Sequence, residues 1–107
     1  MSNDLFYSLS TTHLNVADIP AMGKKSQNIV IKNVGKRNLE IPDVQVFDSA
    51  IGVQLKKRIL KPGAKTNLKI TVYGQQLKKL KRTPRVMIIT NDPNRPKIIV
   101  NVKATSK

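Results

Sequence analysis

Thr66-Asn67-Leu68-Lys69-Ile70-Thr71-Val72-Tyr73 alternates apolar and polar residues without a break. Leu68, Ile70 and Val72 fall on one side, and Asn67, Lys69, Thr71 and Tyr73 on the other. A period of two is what a half-buried strand requires, since successive side chains of extended backbone point to opposite faces. Just upstream, Lys61-Pro62-Gly63-Ala64 has proline and glycine at the central positions of a type II turn. There proline pre-sets φ and glycine accepts the positive value.

Outward from this strand, the same grammar recurs in both directions. Gln27 to Asn33 reads as a strand with Ile29 and Ile31 inward, ended by Asn33-Val34-Gly35-Lys36-Arg37-Asn38, where glycine and asparagine tolerate a reversal. Leu39-Glu40-Ile41 resumes the alternation, completing a strand, turn, strand unit. Asp43 to Phe47 and Ile51 to Leu55 follow, with a link too short for a crossover helix, so adjacent antiparallel strands are expected. Arg85 to Thr90 and Lys97 to Lys103 are apolar-rich strands joined by Asn91-Asp92-Pro93-Asn94-Arg95-Pro96. Toward the N-terminus, Leu5 to Ser10 is a first strand, which His13 to Val16 continues or follows as a second short one, and Asp18 to Ser26 reads as a turn. Gln75 to Arg82 has a weak helical flavour, too short to stand alone, and reads as a basic loop or single turn. Lys103 to Lys107 reads as a frayed finish. The expectation is an all-β sandwich of about seven antiparallel strands. Its expected core is Ile29, Ile31, Leu39, Ile41, Val44, Val46, Leu68, Ile70, Val72, Val86, Ile88, Ile98, Val100 and Val102.

The 107 residues suit one domain with a core large enough to need no staple. The absence of cysteine excludes disulfides, thiolate metal sites and cysteine nucleophiles, and leaves the compartment open. Met1 to Tyr7 lacks the basic start and apolar run of a secretory signal, and no stretch is long enough to span a membrane as a helix. A soluble, untargeted chain and a mature piece of a longer exported protein both fit. The formal charge of +14 is uneven. Residues 1–48 balance five bases with five acids, whereas residues 49–107 carry fifteen bases against Asp92 alone. That asymmetry suggests an acidic partner or polyanion. Lysine outnumbers arginine fifteen to five, which favours a solubilising exterior over bidentate phosphate recognition.

The order Asn33-Val34-Gly35, Leu39-Glu40-Ile41 with Val44, Pro62-Gly63 before Leu68-Lys69-Ile70-Thr71-Val72, Thr90-Asn91-Asp92-Pro93 and a closing strand from Ile98 to Ala104 resembles the hydin-like immunoglobulin-fold domains. These are the ASPM, SPD-two and hydin type and a related bacterial family of Ig-like envelope domains. The resemblance runs from Gln27 to Ala104, with residues 1–26 supplying a leading strand and turn. It implies a single Ig-like sandwich, a fragment of a longer chain, with no known catalytic residues and an adhesive, scaffolding or spacer role. The Cys-Gly-Cys element common in the bacterial members is replaced here by Ser49-Ala50-Ile51-Gly52-Val53, so any redox or metal role of that element does not transfer.

Catalytic constellations are not evident. His13 is the single histidine, with few carboxylates nearby to share a metal. Neighbouring Ser8, Ser10, Thr11 and Thr12 lack the elbow glycines of a nucleophile. The acids are scattered, Asn91 and Asp92 fit a loop-organising role, and the glycines stand singly at turns, not in a phosphate-binding loop. No enzyme and no cofactor is expected. The candidate sites are two basic clusters, Lys56-Lys57-Arg58 and Lys78-Lys79-Leu80-Lys81-Arg82 with Arg85 close behind. Both lie near strand ends and could converge at one edge or pole, giving salt-sensitive binding to nucleic acid, heparin-like polymers or acidic proteins. The four aromatics, Phe6, Tyr7, Phe47 and Tyr73, are too dispersed for a single-stranded nucleic-acid platform. Lysines on exposed edges also discourage aggregation. The leading expectation is a monomeric, non-catalytic interaction or spacer domain of a bacterial envelope, periplasmic or surface protein, contacting neighbouring protein. The alternatives are a nucleic-acid or polyanion-binding module and a cytoplasmic location.

Overall fold

The computed structural model describes residues 7–77 and 84–106. Along the chain they form β1 (Tyr7–Leu9), β2 (His13–Ile19), β3 (Lys24–Asn33), β4 (Leu39–Glu40), β5 (Asp43–Val46), β6 (Ile51–Leu55), β7 (Ile59–Leu60), β8 (Lys65–Tyr73), α1 (Gly74–Leu77), β9 (Arg85–Ile89) and β10 (Lys97–Ser106). The first sheet has the order β1-β3-β8-β6 and the second β2-β10-β9-β5; β4 and β7 make a separate ribbon. The result is an Ig-like all-β sandwich, 48 × 21 × 18 Å.

The perfect alternation of β8 does what its period requires. Leu68, Ile70 and Val72 are fully buried, and Thr66 joins them. β8 is paired on both edges, antiparallel with β3 from Lys24↔Tyr73 to Lys32↔Lys65 and with β6 from Ile51↔Val72 to Leu55↔Leu68. Ile29 and Ile31 of β3 stand beside it, and the second sheet answers with Leu14, Val16, Val86, Ile88, Val100 and Val102. Each such side chain removed from water contributes roughly 1.5–3 kcal/mol. Leu39 and Leu60 of the ribbon, with Ile41, are also fully buried. Eleven of the expected core residues are buried, while Val44, Val46 and Ile98 are partly buried and pack against the same cluster. At the expected type II turn, Gly63 has φ 85° and the Ala64 amide donates to Lys61 O at 2.8 Å.

Several pairings differ from the expectation. β5 and β6 are not neighbours: β5 pairs with β9 in the second sheet, β6 with β8 in the first. The short link through buried Ala50 carries the chain from one sheet to the other, and its Ala50 carbonyl accepts from the Tyr73 amide at 2.9 Å. Both strands still turn apolar residues to one shared core, so their alternation is the same in either arrangement. β4 does not fold back on β3 either, but pairs with β7, a short strand absent from the sequence reading.

The expected turn over Asp18 to Ser26 shrinks to Pro20 to Gly23, closed by the Gly23 amide on Pro20 O at 3.1 Å. Lys24, Lys25 and Ser26 look like loop by composition, but their backbone joins the β8 ladder, which needs no apolar side chain. The C-terminal stretch does not fray before Ser106. It pairs in parallel with β2, Ala104 opposite Val16 and Ser106 opposite Ile19, with a register shift between them. Across from that shift Asp18 adopts φ 57°, a left-handed conformation that aspartate tolerates better than most residues. The sandwich is therefore mixed, with ten strands among the described residues and one parallel pair.

Candidate binding faces

Among the described residues no three His, Asp or Glu side chains are grouped to hold a metal ion. His13 is exposed, its Nδ1 3.1 Å from Thr12 Oγ1. Asp92 is buried, and its Oδ1 accepts from the Asn94 amide at 2.9 Å while its own amide donates to Thr90 Oγ1 at 3.2 Å. Asn91 mimics a strand partner for β4, accepting from the Glu40 amide at 2.9 Å and donating its own amide to Glu40 O at 3.0 Å. Both residues thus organise the loop, as their sequence context suggested.

That loop also holds the first strand. Tyr7 Oη donates to Arg95 O at 2.7 Å, the Arg95 guanidinium donates to Tyr7 O, and its carbon lies 4.3 Å from the ring centre. Burial pushes the Tyr7 phenol above its ordinary pKa. A hydrogen bond from Thr90 and the charge of Arg95 act in the opposite direction, and Asp92 reinforces the rise.

Chemistry is concentrated instead on the two outer faces. On the first sheet, register sets Ser8 beside Lys32 and Lys32 beside Lys65, Val30 beside Asn67, Asn28 beside Lys69 and Lys69 beside Gln54, Ser26 beside Thr71, and Lys24 beside Tyr73. Ser26 and Thr71 hydroxyls are 2.8 Å apart. Asn28, Gln54, Lys56, Asn67 and Lys69 line a shallow concavity of about 310 Å³. The Tyr73 ring leans over Gly52, where an added methyl would sit 3.2 Å from its Oη and 3.3 Å from Cε2. The described acids Asp18, Glu40, Asp43, Asp48 and Asp92 all belong to other segments.

The outer face of the second sheet is different. Gln45, Met87 and Ile99 form one row across β5, β9 and β10; Asp43, Ile89 and Lys97 form another, and Arg85, Asn101 and His13 a third. Ile99 is 42% exposed and Phe47, next after β5, 55% exposed, with Met87 and Ile89 half-buried.

The sequence-predicted basic residues divide between distant places. Lys56 lines the first-sheet concavity. Lys57 is exposed and its amide donates to Thr66 Oγ1 at 3.1 Å. Arg58 turns away and donates from Nη1 to Pro42 O at 2.8 Å, next to Asp43, which is opposite Ile89 at the far end of β9. Arg85 begins that strand at its other end, opposite Asn101. Lys56-Lys57-Arg58 and Arg85 therefore do not converge. Lys78, Lys79, Lys81 and Arg82 lie outside the described residues. Missed from sequence were Lys24, Lys32, Lys65 and Lys69, which are spread over two strands and join only through the β3–β8 register. The outward positions of the β8 alternation already marked Lys69.

Over residues 7–105 the chain matches the model of the HYDIN/CFA65/VesB-like, Ig-like domain. It belongs to that family. Among solved structures, a Porphyromonas gingivalis W83 protein of unknown function superposes with a TM-score of 0.85 at 28% identity, over 97% of this chain and 49% of that one. The Vibrio cholerae VesB protease gives 0.67 at 17% identity, covering 95% and 32%. The ASH / PapD-like domain 7 of human CEP192 gives 0.71 at 7%, covering 94% and 84%. The chain thus spans about half the length of the Porphyromonas protein and about a third of VesB. A search of curated protein sequences found no match. The family is one of Ig-like modules, a kind of domain that generally mediates contacts with other proteins.

Proposed function

We propose that this domain is a non-catalytic interaction module of a longer exported bacterial protein, and that it meets protein neighbours through the outer face of the second sheet. The observation that carries this reading is the row of Met87 and Ile99 beside Ile89, with exposed Phe47 at the edge strand's end. Apolar side chains grouped at the middle of a face and rimmed by polar ones suit a protein contact. Export is supported by the secreted serine protease VesC of Vibrio cholerae, 23% of which superposes on 95% of this chain at 12% identity with a TM-score of 0.59, and a longer parent by the greater length of the matched chains. A photo-crosslinking residue at position 99 of the full-length parent, in its own cells, should give a protein adduct that the same probe at position 69 does not. Equal yields from both positions, or none from 99, refute the reading.

A second reading, binding of a polyanion, is favoured by one observation. The outer face of the first sheet carries Lys24, Lys32, Lys56, Lys65 and Lys69 and no acid among the described residues. Loss of binding to a sulfated polymer as salt rises would support it, through release of counterions, and absence of binding at low salt would exclude it.

A further inference from the structure

We infer that the outer face of the β1-β3-β8-β6 sheet is a binding track for a linear anionic glycan, a chain bearing uronate or sulfate groups; this rests on the polyanion reading and names its site and ligand. The cations have no purpose in the sheet itself. Lys32 and Lys65 are directly opposite one another on β3 and β8, and like charges so placed destabilise a sheet. Lys69 follows on β8, and Lys56 lies on the β6 side of the same concavity. Edge protection does not account for Lys32 and Lys69, because each sits where its strand has a partner on both sides, Lys32 between Ser8 and Lys65 and Lys69 between Asn28 and Gln54. An anion laid across this face removes the repulsion.

The groups between the lysines select the kind of anion. Asn28, Gln54 and Asn67 offer paired donors and acceptors, and Ser26 and Thr71 offer hydroxyls, all of them exposed or partly so. Such groups match sugar hydroxyls, which both donate and accept. At one end the Tyr73 ring, 39% exposed and set over Gly52, presents an aromatic surface. Tyr73 to Lys65 spans about 27 Å of strand, so the track is long enough for several sugar units. Nucleic acid fits less well. Single strands need successive stacking aromatics, and among the described residues this face has one, Tyr73. Duplex phosphates are usually gripped by arginine as well as lysine, and none of the face residues named here is arginine. A protein partner would want an apolar or arginine anchor at the centre, where this face has amides and lysines.

The test is a binding series of the chain against size-defined heparin oligosaccharides, a neutral glucan and single-stranded RNA, at low and rising salt. Heparin oligosaccharides should bind, lose affinity steeply with salt, and bind more weakly once shorter than the track. The triple variant Lys32→Glu/Lys65→Glu/Lys69→Glu should lower affinity at least tenfold, its neutral counterpart Lys32→Gln/Lys65→Gln/Lys69→Gln several-fold with the fold intact by circular dichroism, and Tyr73→Ala several-fold. Reversal of Lys78, Lys79, Lys81 and Arg82 should leave most of the affinity. If that reversal abolishes binding and the Gln variant does not, the polyanion reading stands and this face is overturned. Tight binding of RNA alone overturns the glycan assignment, and no binding to any polymer overturns both.

Discussion

Asn33 shows how much a single polar side chain can hold. It is fully buried, yet its Nδ2 donates to Arg37 O at 2.7 Å and to Leu60 O at 2.8 Å, and its Oδ1 accepts from the Gly35 amide at 2.9 Å. Its own amide donates to Ala64 O and its carbonyl accepts from Gly63, so the residue locks the end of β3 to the β7–β8 turn. Asn33→Ala strands three backbone groups, one of them deeply buried. The expected loss is about 3 kcal/mol by denaturant unfolding; a loss under about 1 kcal/mol would show that water replaces those bonds. From sequence Asn33 was legible only as a turn former, because periodicity scores it as polar and cannot reveal an amide whose partners are 4 and 27 residues away. The apolar alternation, by contrast, identified Ile29, Leu68 and Val100 directly.

Tyr7 is a second such residue, and it brings a pH dependence. Tyr7→Phe removes the hydrogen bond to Arg95 O and should cost about 1 kcal/mol at neutral pH. Because burial raises the folded-state phenol pKa above the ordinary value near 10, the folded state holds its proton more tightly than the unfolded chain. That part of the stability is fully present below about pH 10 and is lost as pH rises through the folded value. The stability gap between wild type and Tyr7→Phe should therefore be constant to about pH 10 and shrink above it. A gap that widens with pH contradicts the sign.

At the scale of elements, the fold depends on one close approach that no pattern announces. Gly74 opens α1, donates its amide to Gly23 O at 2.9 Å, and is packed so that an added methyl would fall 1.8 Å from Pro20 O. Gly74→Ala must displace either the β2–β3 turn or the end of β8, with an expected cost of about 3 kcal/mol or more in thermal or denaturant unfolding. A variant as stable as the parent would mean that the turn gives way easily. Strands were readable here wherever an apolar face repeats, as in β3, β8, β9 and β10. Their partners were not. β5 and β6 carry the same alternation whether they pair with each other or lie in opposite sheets, and β2 finds its parallel partner 88 residues away, His13 opposite Asn101. The polar start of β3, Lys24 to Ser26, escaped notice because these residues look solvated. In the fold Lys25 and the neighbouring Gln27 reach over to β2, donating to Ala17 O at 2.9 Å and Asn15 O at 2.8 Å, and so cover backbone carbonyls of an edge strand.

At the scale of the whole molecule, the sandwich exposes two outer faces of unlike chemistry. One carries lysines, amides and hydroxyls without an acid among the described residues; the other has Met87 and Ile99 at its centre and Ile89 toward one end. The sequence showed the excess of positive charge but assigned it to consecutive runs, since linear clusters are what a linear reading detects. Lys32, Lys65 and Lys69 form a group only after β3 and β8 are placed in register. The apolar face went unremarked because Ile99 and Met87, left out of the expected core, lie between core residues in strands that are apolar on both sides.

The proposed function requires that protein cover the second-sheet face in the intact parent. Hydroxyl-radical footprinting of the isolated domain and of the full-length parent tests it directly, with Met87 and Phe47 as reporters and Met22, 82% exposed and at the β2–β3 turn, as internal control. Met87 and Phe47 should oxidise several-fold more slowly in the parent while Met22 is unchanged. Equal oxidation of Met87 and Phe47 in both forms would contradict it.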